Sequence, residues 1–283
     1  LSQFMTSHPR RIVHLLLPAA AVGIFCLAIW ILVKEAQTIS LNDIVAEFRS
    51  LSPAVLLLGG LLSAASYGIL TLYDFLALRY VGSALQYLKV APVSFAAFAI
   101  GHNVGLSSLS GGAIRYRAYS LAGLSASRIA LLVGFIPLTY GLGASVLLGI
   151  TLLFDPVALT VLPISRGWLQ LLGTCLLMVP LAYIAWNSMA QKPLQLRSWM
   201  IRPPGARTAL GQCLLGSADL VVASSVLYVL LHASADVPFL PFLGAYLLAM
   251  VAGVISNVPG AVGVFESAML LLLPAYFSTP CVD

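Results

Sequence analysis

Three carboxylates, Asp74, Asp219 and Glu266, lie in stretches of the chain that are otherwise apolar. A carboxylate that faces lipid costs about 2.5–3.5 kcal/mol or more, so such a residue faces an interior cavity or a partner. Asp219 lies among small residues in the middle of its apolar run, which favours a packed or hydrated interior. Asp74 precedes Arg79 by five residues, so pairing with a nearby arginine at a helix end stays open as the alternative. Such carboxylates could neutralise a cationic group inside a membrane protein.

Two arginines, Arg115 and Arg117, follow the pair Gly111-Gly112. A guanidinium group offers paired donors that match a phosphate, and the backbone amides of a glycine turn would add to the contact. The alternative is anchoring at the level of the lipid headgroups, with Tyr116 and Tyr119 as interfacial aromatics. The spacing of these residues is compatible with both.

Motifs for catalysis and metal binding are absent from the sequence. It contains no Ser–His–Asp order, metal-ligand spacing, P-loop or dinucleotide fingerprint. We therefore expect no catalytic residue, no metal and no cofactor in this chain. The net charge of +5 is better explained by basic loops that face the cytoplasm than by nucleic acid.

Long apolar runs must position these residues. Of the 283 residues, 60% are hydrophobic and only 8% are charged, about a third of the charged share of soluble domains. A helix that crosses a hydrocarbon core of about 30 Å needs about 20 apolar residues. Five runs have that length: 12–33, 54–78, 129–154, 168–187 and 208–232. The sequence thus predicts an all-α integral membrane protein, a multi-span helical bundle formed by one transmembrane domain over residues 1–283. The first run is too long for a signal peptide, so we expect it to be a retained span.

Two further apolar segments, 91–117 and 238–277, are interrupted by glycine, serine and proline. Irregular backbone at membrane depth must be buried in protein or line a wet cavity, because lipid satisfies no hydrogen bonds. We predict that both segments are re-entrant or broken helices. The residues expected to break or line them are Gly105, Ser108, Gly111, Gly112, Asn257, Pro259, Gly260 and Gly263.

The distribution of basic residues favours a re-entrant first segment. If 91–117 enters and returns on the same side, eleven of the 14 Lys and Arg residues are cytoplasmic. Only Lys34, Arg49 and Arg166 then lie outside, in agreement with the positive-inside rule. We expect a multi-pass protein of the bacterial cytoplasmic membrane with its N-terminus in the cytoplasm.

The same topology also predicts an internal repeat, whose two copies cross the membrane in opposite orientations. Asp74 and Asp219 are 145 residues apart, and the glycine-rich segments align at a spacing of 148, with Gly105 opposite Gly253 and Gly112 opposite Gly260. An acidic span followed by a broken helix, repeated in inverted orientation, is typical of transporters whose site lies between the repeats. The alternative is a chance match, because glycine and serine are frequent in membrane helices.

The motifs Gly-Gly-x-x-Arg-Tyr-Arg at 111–117 and Pro-Gly-x-x-Gly-Val-Phe-Glu at 259–266, with the segment 72–80, resemble the membrane domain of the MprF family. These proteins are bacterial lysyl- or alanyl-phosphatidylglycerol synthetases and flippases. The resemblance covers nearly the whole chain. One departure is Ala261, where the family commonly has a second glycine; because alanine is also small, we expect little effect.

The resemblance implies a flippase domain that moves aminoacylated phosphatidylglycerol from the inner to the outer leaflet. The separate soluble domain that makes this lipid in the family has no counterpart in the 283 residues, so transferase activity is not assigned to this chain; a longer gene product that carries such a domain would be a phosphatidylglycerol lysyltransferase. The headgroup carries a phosphate and ammonium groups. Arg115 and Arg117 would take the phosphate, and Asp74, Asp219 and Glu266 would offset the ammonium charge.

Two other classes of function stay open: an intramembrane lipid-modifying enzyme and an ion-coupled transporter of a small solute. We expect phospholipids, above all aminoacyl-phosphatidylglycerol, and the membrane as partners. A homodimer is compatible with the sequence, and no nucleic acid is expected to bind.

Overall fold

The computed structural model describes residues 41–104, 107–154, 164–189, 194–196, 199–232, 237–256 and 258–273. The predicted first span, 12–33, lies outside the described residues. The helices in the described part are α1 (Leu41–Ser50), α2 (Pro53–Tyr80), α3 (Tyr87–Val104), α4 (Ser107–Leu121), α5 (Ala126–Phe154), α6 (Arg166–Met189), α7 (Ala206–His232), α8 (Phe239–Ser256) and α9 (Val264–Leu272). Two short antiparallel strands, β1 (Leu194–Leu196) and β2 (Trp199–Ile201), pair between α6 and α7.

Five of these helices, α2, α5, α6, α7 and α8, are long and apolar enough to cross a membrane. Helices α2, α5, α6 and α7 contain four of the predicted spans, 54–78, 129–154, 168–187 and 208–232, in that order. The start of α2 follows from local sequence, because Ser52 caps it by accepting a hydrogen bond from the Val55 amide and Pro53 occupies its first turn. The prediction of a multi-span helical membrane protein is confirmed.

The segment 91–117 forms two helices, α3 and α4, that pack against each other as a hairpin. The apolar part of α3, Tyr87–Gly101, is about 22 Å long, which is shorter than the hydrocarbon core. The chain is helical up to Val104 and again from Ser107, so most of the Gly- and Ser-rich stretch is helix. Close packing of α4 on α3 explains why position 111 is glycine, since a Cβ on Gly111 would lie 2.8 Å from the carbonyl oxygen of Ala97.

The segment 238–277 breaks as predicted, between α8 and α9. A short 3₁₀ turn, Pro259–Ala261, joins the two helices, and α8 packs against α9. Gly260 and Gly263 have φ angles of 66° and 84°, in the left-handed region that glycine adopts at little cost. The α3–α4 and α8–α9 hairpins meet where α3 packs against this turn.

The spans are held together at crossings of small residues. Helices α2 and α7 lie along each other, and α5 packs against both α6 and α7. A Cβ on Gly143 of α5 would fall on the backbone of Gly216 of α7, and a Cβ on Gly173 of α6 would lie 2.9 Å from the Gly149 carbonyl oxygen. Such backbone-to-backbone contact brings membrane helices close enough for their polar side chains to meet.

Candidate functional site

A buried ion pair between Asp74 and Arg115 joins α2 to α4. The Arg115 Nε atom donates to both carboxylate oxygens, at 3.0 Å from Oδ1 and 2.9 Å from Oδ2, and Nη2 donates to Oδ1 at 2.8 Å. Asp74 is 0% exposed and Arg115 is 4% exposed. Asp74 therefore pairs with an arginine of another helix, and not with the nearby arginine at its own helix end that was the alternative. The partner is Arg115, whereas Arg79 lies over the ring of Phe75.

Two aromatic residues complete the surroundings of this pair. The Tyr119 hydroxyl of α4 donates to Asp74 Oδ2 at 2.7 Å. The Arg115 guanidinium carbon lies 4.5 Å from the centroid of the Phe98 ring of α3, a cation–π contact. Because both charges are paired and hydrogen-bonded, the cluster can exist inside an apolar bundle, and removing either partner would leave the other charge uncompensated.

Asp219, on α7, lies in a second polar cluster. It is 5% exposed, and its Oδ2 atom accepts a hydrogen bond of 3.0 Å from the Tyr73 hydroxyl of α2. The phenols of Tyr140 on α5 and Tyr246 on α8 interact electrostatically with its carboxylate. Among the described residues, Asp74 and Arg115 form a salt bridge. No described Lys or Arg pairs with Asp219.

Consecutive residues of α2 connect the two clusters. Tyr73 reaches α7 and Asp74 receives its partners from α4, because side chains of neighbouring helical residues point about 100° apart. Both residues are fully buried, with 1% and 0% exposure. A rotation of α2 would therefore change the contacts of both carboxylates at once.

The other predicted charged site residues lie apart from these clusters. Arg117 is exposed on α4, next to the exposed Tyr116. Glu266 is exposed at the start of α9, where its Oε2 atom accepts a hydrogen bond of 2.8 Å from the Gly263 amide. This contact satisfies an amide at the helix N-terminus, where a carboxylate also opposes the positive end of the helix dipole.

The predicted glycines and their neighbours have different placements. Gly111 packs on α3, and a Cβ on Gly112 would lie 3.7 Å from Val133 of α5. Gly260 and Gly263 form the turn before α9. Gly105 and Asn257 lie outside the described residues, as do the side chains of Ser108 and Pro259.

Three aromatic residues of these clusters and one further buried polar residue were not predicted as site residues from the sequence. Tyr73 and Phe98 carry no local signal, since an aromatic residue is ordinary in a membrane helix; Tyr119 was considered only as an interfacial aromatic. Gln212 could have been found as a polar residue within the apolar run of α7. It is fully buried, donates to Thr139 Oγ1 of α5 at 3.0 Å and accepts from the Tyr183 hydroxyl of α6 at 2.8 Å.

The amino-acid sequence is similar to known membrane proteins, and two of them indicate the family of this chain. No family model matches the chain. The chain is 36% identical to the uncharacterized protein slr0712 of Synechocystis, over 92% of this chain and 82% of that protein. It is 31% identical to the inner membrane protein YbhN of Escherichia coli, over 88% of this chain and 78% of that protein.

A more distant similarity extends to a much longer protein. The chain is 26% identical to the phosphatidylglycerol lysyltransferase of Staphylococcus aureus over 89% of its own residues, and it spans 29% of that protein's length. The identity and coverage of the two shorter relatives are sufficient to assign the family. This chain belongs to the family that includes slr0712 of Synechocystis and the inner membrane protein YbhN of Escherichia coli.

Proposed function

We propose that this protein moves lysyl- or alanyl-phosphatidylglycerol from the inner to the outer leaflet of the bacterial cytoplasmic membrane. The observation that carries the proposal is the buried group of charges, Asp74, Arg115 and Asp219, inside an apolar helical bundle. Buried charges in membrane spans mark pathways for polar substrates. The similarity to a protein named phosphatidylglycerol lysyltransferase supports a phospholipid as the substrate. Export of this lipid would lower the negative surface charge and give resistance to cationic antimicrobial peptides.

The ion pair suggests how a headgroup could enter without leaving a charge unpaired. Arg115 presents Nε and Nη2 to the Asp74 carboxylate, an arrangement that phosphate oxygens can also accept. We infer that the lipid phosphate replaces Asp74 on this edge of the guanidinium group. Asp74 and Asp219 then face the ammonium groups. Because Arg115 and Asp74 each exchange one charged partner for another, neither is left as an unpaired buried ion, and Asp219 gains a cation.

Exposed residues would make the first contacts with the lipid. Arg117 would attract the phosphate and Glu266 the ammonium groups, since both side chains are exposed. The acyl chains would stay in the bilayer while the headgroup moves past the α3–α4 and α8–α9 hairpins. The topology that we propose has a cytoplasmic N-terminus and places Arg117 on the cytoplasmic side.

The test is lipid transfer by the purified chain in liposomes that contain labelled lysyl-phosphatidylglycerol. Leaflet-specific amine labelling measures transfer, and mass spectrometry of the lipid detects any chemical change. We expect Arg115→Lys to reduce transfer strongly, because lysine is a point charge without the planar pair of donors. The matched variant Arg117→Lys should transfer at nearly the wild-type rate, because it keeps the charge of an exposed cation worth about 1 kcal/mol at a membrane surface.

The outcomes of this assay separate the competing functions. Nearly wild-type transfer in both variants would mean that the phosphate site lies elsewhere. A modified lipid would indicate an enzyme, the second candidate, which the name of the longer relative favours. Absence of transfer by the folded wild-type chain would contradict the proposed function.

A further inference from the structure

The two halves of the chain hold their carboxylates in similar surroundings but with different partners. At the spacing of 148 residues that aligns the broken helices, Phe98 is opposite Tyr246 and Arg115 is opposite Gly263. The carboxylates Asp74 and Asp219 are on the helices that precede the two hairpins.

In the first half, the chain supplies its own cation. The Asp74 carboxylate binds the Arg115 guanidinium through three N–H contacts and accepts one hydrogen bond from the Tyr119 hydroxyl. The ring of Phe98 covers the guanidinium group at 4.5 Å. A carboxylate, a tyrosine hydroxyl and an aromatic ring thus surround one guanidinium cation.

In the second half, a carboxylate, a tyrosine hydroxyl and an aromatic residue recur, but among the described residues no Lys or Arg takes the place of the cation. Asp219 accepts a hydrogen bond from the Tyr73 hydroxyl, and Tyr246, at the position of Phe98, is buried on α8, where its phenol interacts electrostatically with the carboxylate. Gly263, at the position of Arg115, has no side chain. No Lys or Arg of the described residues pairs with Asp219, which is 5% exposed on a membrane-spanning helix.

We propose that Asp219, Tyr73 and Tyr246 form a binding site for one primary ammonium group, which takes the place that the Arg115 guanidinium takes in the first half. The ligand must carry N–H donors, because Arg115 contacts its carboxylate through N–H groups. A quaternary ammonium group has none and should bind more weakly. The identity of the ligand as the amino group of a lipid rests on the proposed function. The site itself rests on the contacts around Asp219.

The test uses n-butylammonium, a primary ammonium ion without a lipid, and the full chain purified in detergent micelles. Binding is measured as a saturable rise in Tm. We expect a rise with n-butylammonium and little or none with butyltrimethylammonium or sodium ions at equal ionic strength. An equal rise with all three cations would overturn the proposal, because screening of charge would then explain the effect.

Variants locate the site. Asp219→Asn keeps the shape of the side chain and should abolish the response, whereas Glu47→Gln in α1 removes the same charge elsewhere and should keep it. Tyr73→Phe and Tyr246→Leu should each weaken binding by about tenfold, as expected for loss of a hydroxyl contact or of a cation–π contact. If Asp219→Asn does not fold, Tyr73→Phe and Tyr246→Leu provide the test. Wild-type affinity for n-butylammonium in both variants would contradict the site.

The two proposals fail in different ways. Lipid transfer by a chain that shows no response to n-butylammonium would keep the proposed function and exclude the ammonium site. A response that depends on Asp219, in a chain that transfers no lysyl-phosphatidylglycerol, would keep the site and exclude lipid export. Competition between lysyl-phosphatidylglycerol and n-butylammonium would identify the lipid amine as the ligand.

Discussion

At the scale of single residues, the contacts of Asp74 determine what the buried cluster can do. Its two oxygens accept from Arg115 and Tyr119, so the carboxylate is both charge-paired and hydrogen-bonded. A buried ion pair contributes little net stability relative to apolar packing, but loss of one partner is strongly destabilising. The pair therefore suits a site where an incoming charged group can replace one partner.

Neutralising one member of the pair should be worse than neutralising both. Asp74→Asn leaves the Arg115 charge buried and should lower the free energy of unfolding by about 3–5 kcal/mol. The double variant Asp74→Asn/Arg115→Gln should recover most of that loss, because no charge remains buried. Thermal unfolding in micelles measures both. Equal destabilisation of the single and double variants would show that the amides fail to pack, and that charge is not the cause.

The Tyr119 hydroxyl should contribute measurably to the stability of the same cluster. Tyr119→Phe removes the donor to a charged carboxylate, which costs about 1.5–3 kcal/mol. Tyr116→Phe is the control, since Tyr116 is 53% exposed on the same helix. A stability for Tyr119→Phe as high as that of the control would mean that Asp74 finds another donor.

At the scale of elements, the turn between α8 and α9 depends on the size and backbone conformation of two small residues. A Cβ on Gly253 of α8 would lie 2.6 Å from the Cβ of Ala261, so α8 rests directly on the turn. Ala261 itself has a φ angle of 54°, in the left-handed region. This backbone conformation favours glycine at position 261. The small size of alanine is therefore not enough to make Ala261 equivalent to the glycine that the MprF family commonly has there.

The double variant Gly253→Ala/Ala261→Gly, which moves the methyl group from position 261 to position 253, should preserve the turn. Gly253→Ala should be destabilising by about 1–3 kcal/mol through overpacking. Ala261→Gly should be neutral or stabilising by up to about 1 kcal/mol, because it relieves the left-handed strain. In the double variant the clashing Cβ is gone and most of the loss should be recovered. Additive effects of the two substitutions on Tm would contradict the contact.

At the scale of the whole molecule, the arrangement of charges predicts which ends of the helices face the cytoplasm. Single cysteine probes at Ser120, in the last turn of α4, and at Gln195, in β1, should react only with a reagent on the cytoplasmic side. A probe at Ser40, before α1, should react only from outside. Labelling of position 120 from the periplasm of intact cells would exclude the re-entrant first segment and the inverted repeat with it.

The amino-acid sequence by itself determined the spans, because the length of an apolar run against the thickness of a bilayer is a local property. The runs 54–78 and 208–232 therefore became α2 and α7, and carboxylates within them had to be buried, as Asp74 and Asp219 are. The break before α9 was equally local, since Pro259, Gly260 and Gly263 interrupt a helix wherever they occur together.

Only the tertiary structure decided which side chains meet. Arg115 and Asp74 are 41 residues apart, and Tyr73 and Asp219 are 146 apart, so no local pattern selects these partners. Their pairing depends on how α2 is rotated between α4 and α7, and on a hairpin close enough that Gly111 touches the backbone of Ala97. Burial is a property of each residue in its own segment, whereas the partner of a buried charge is determined by the packing of helices that are distant in sequence.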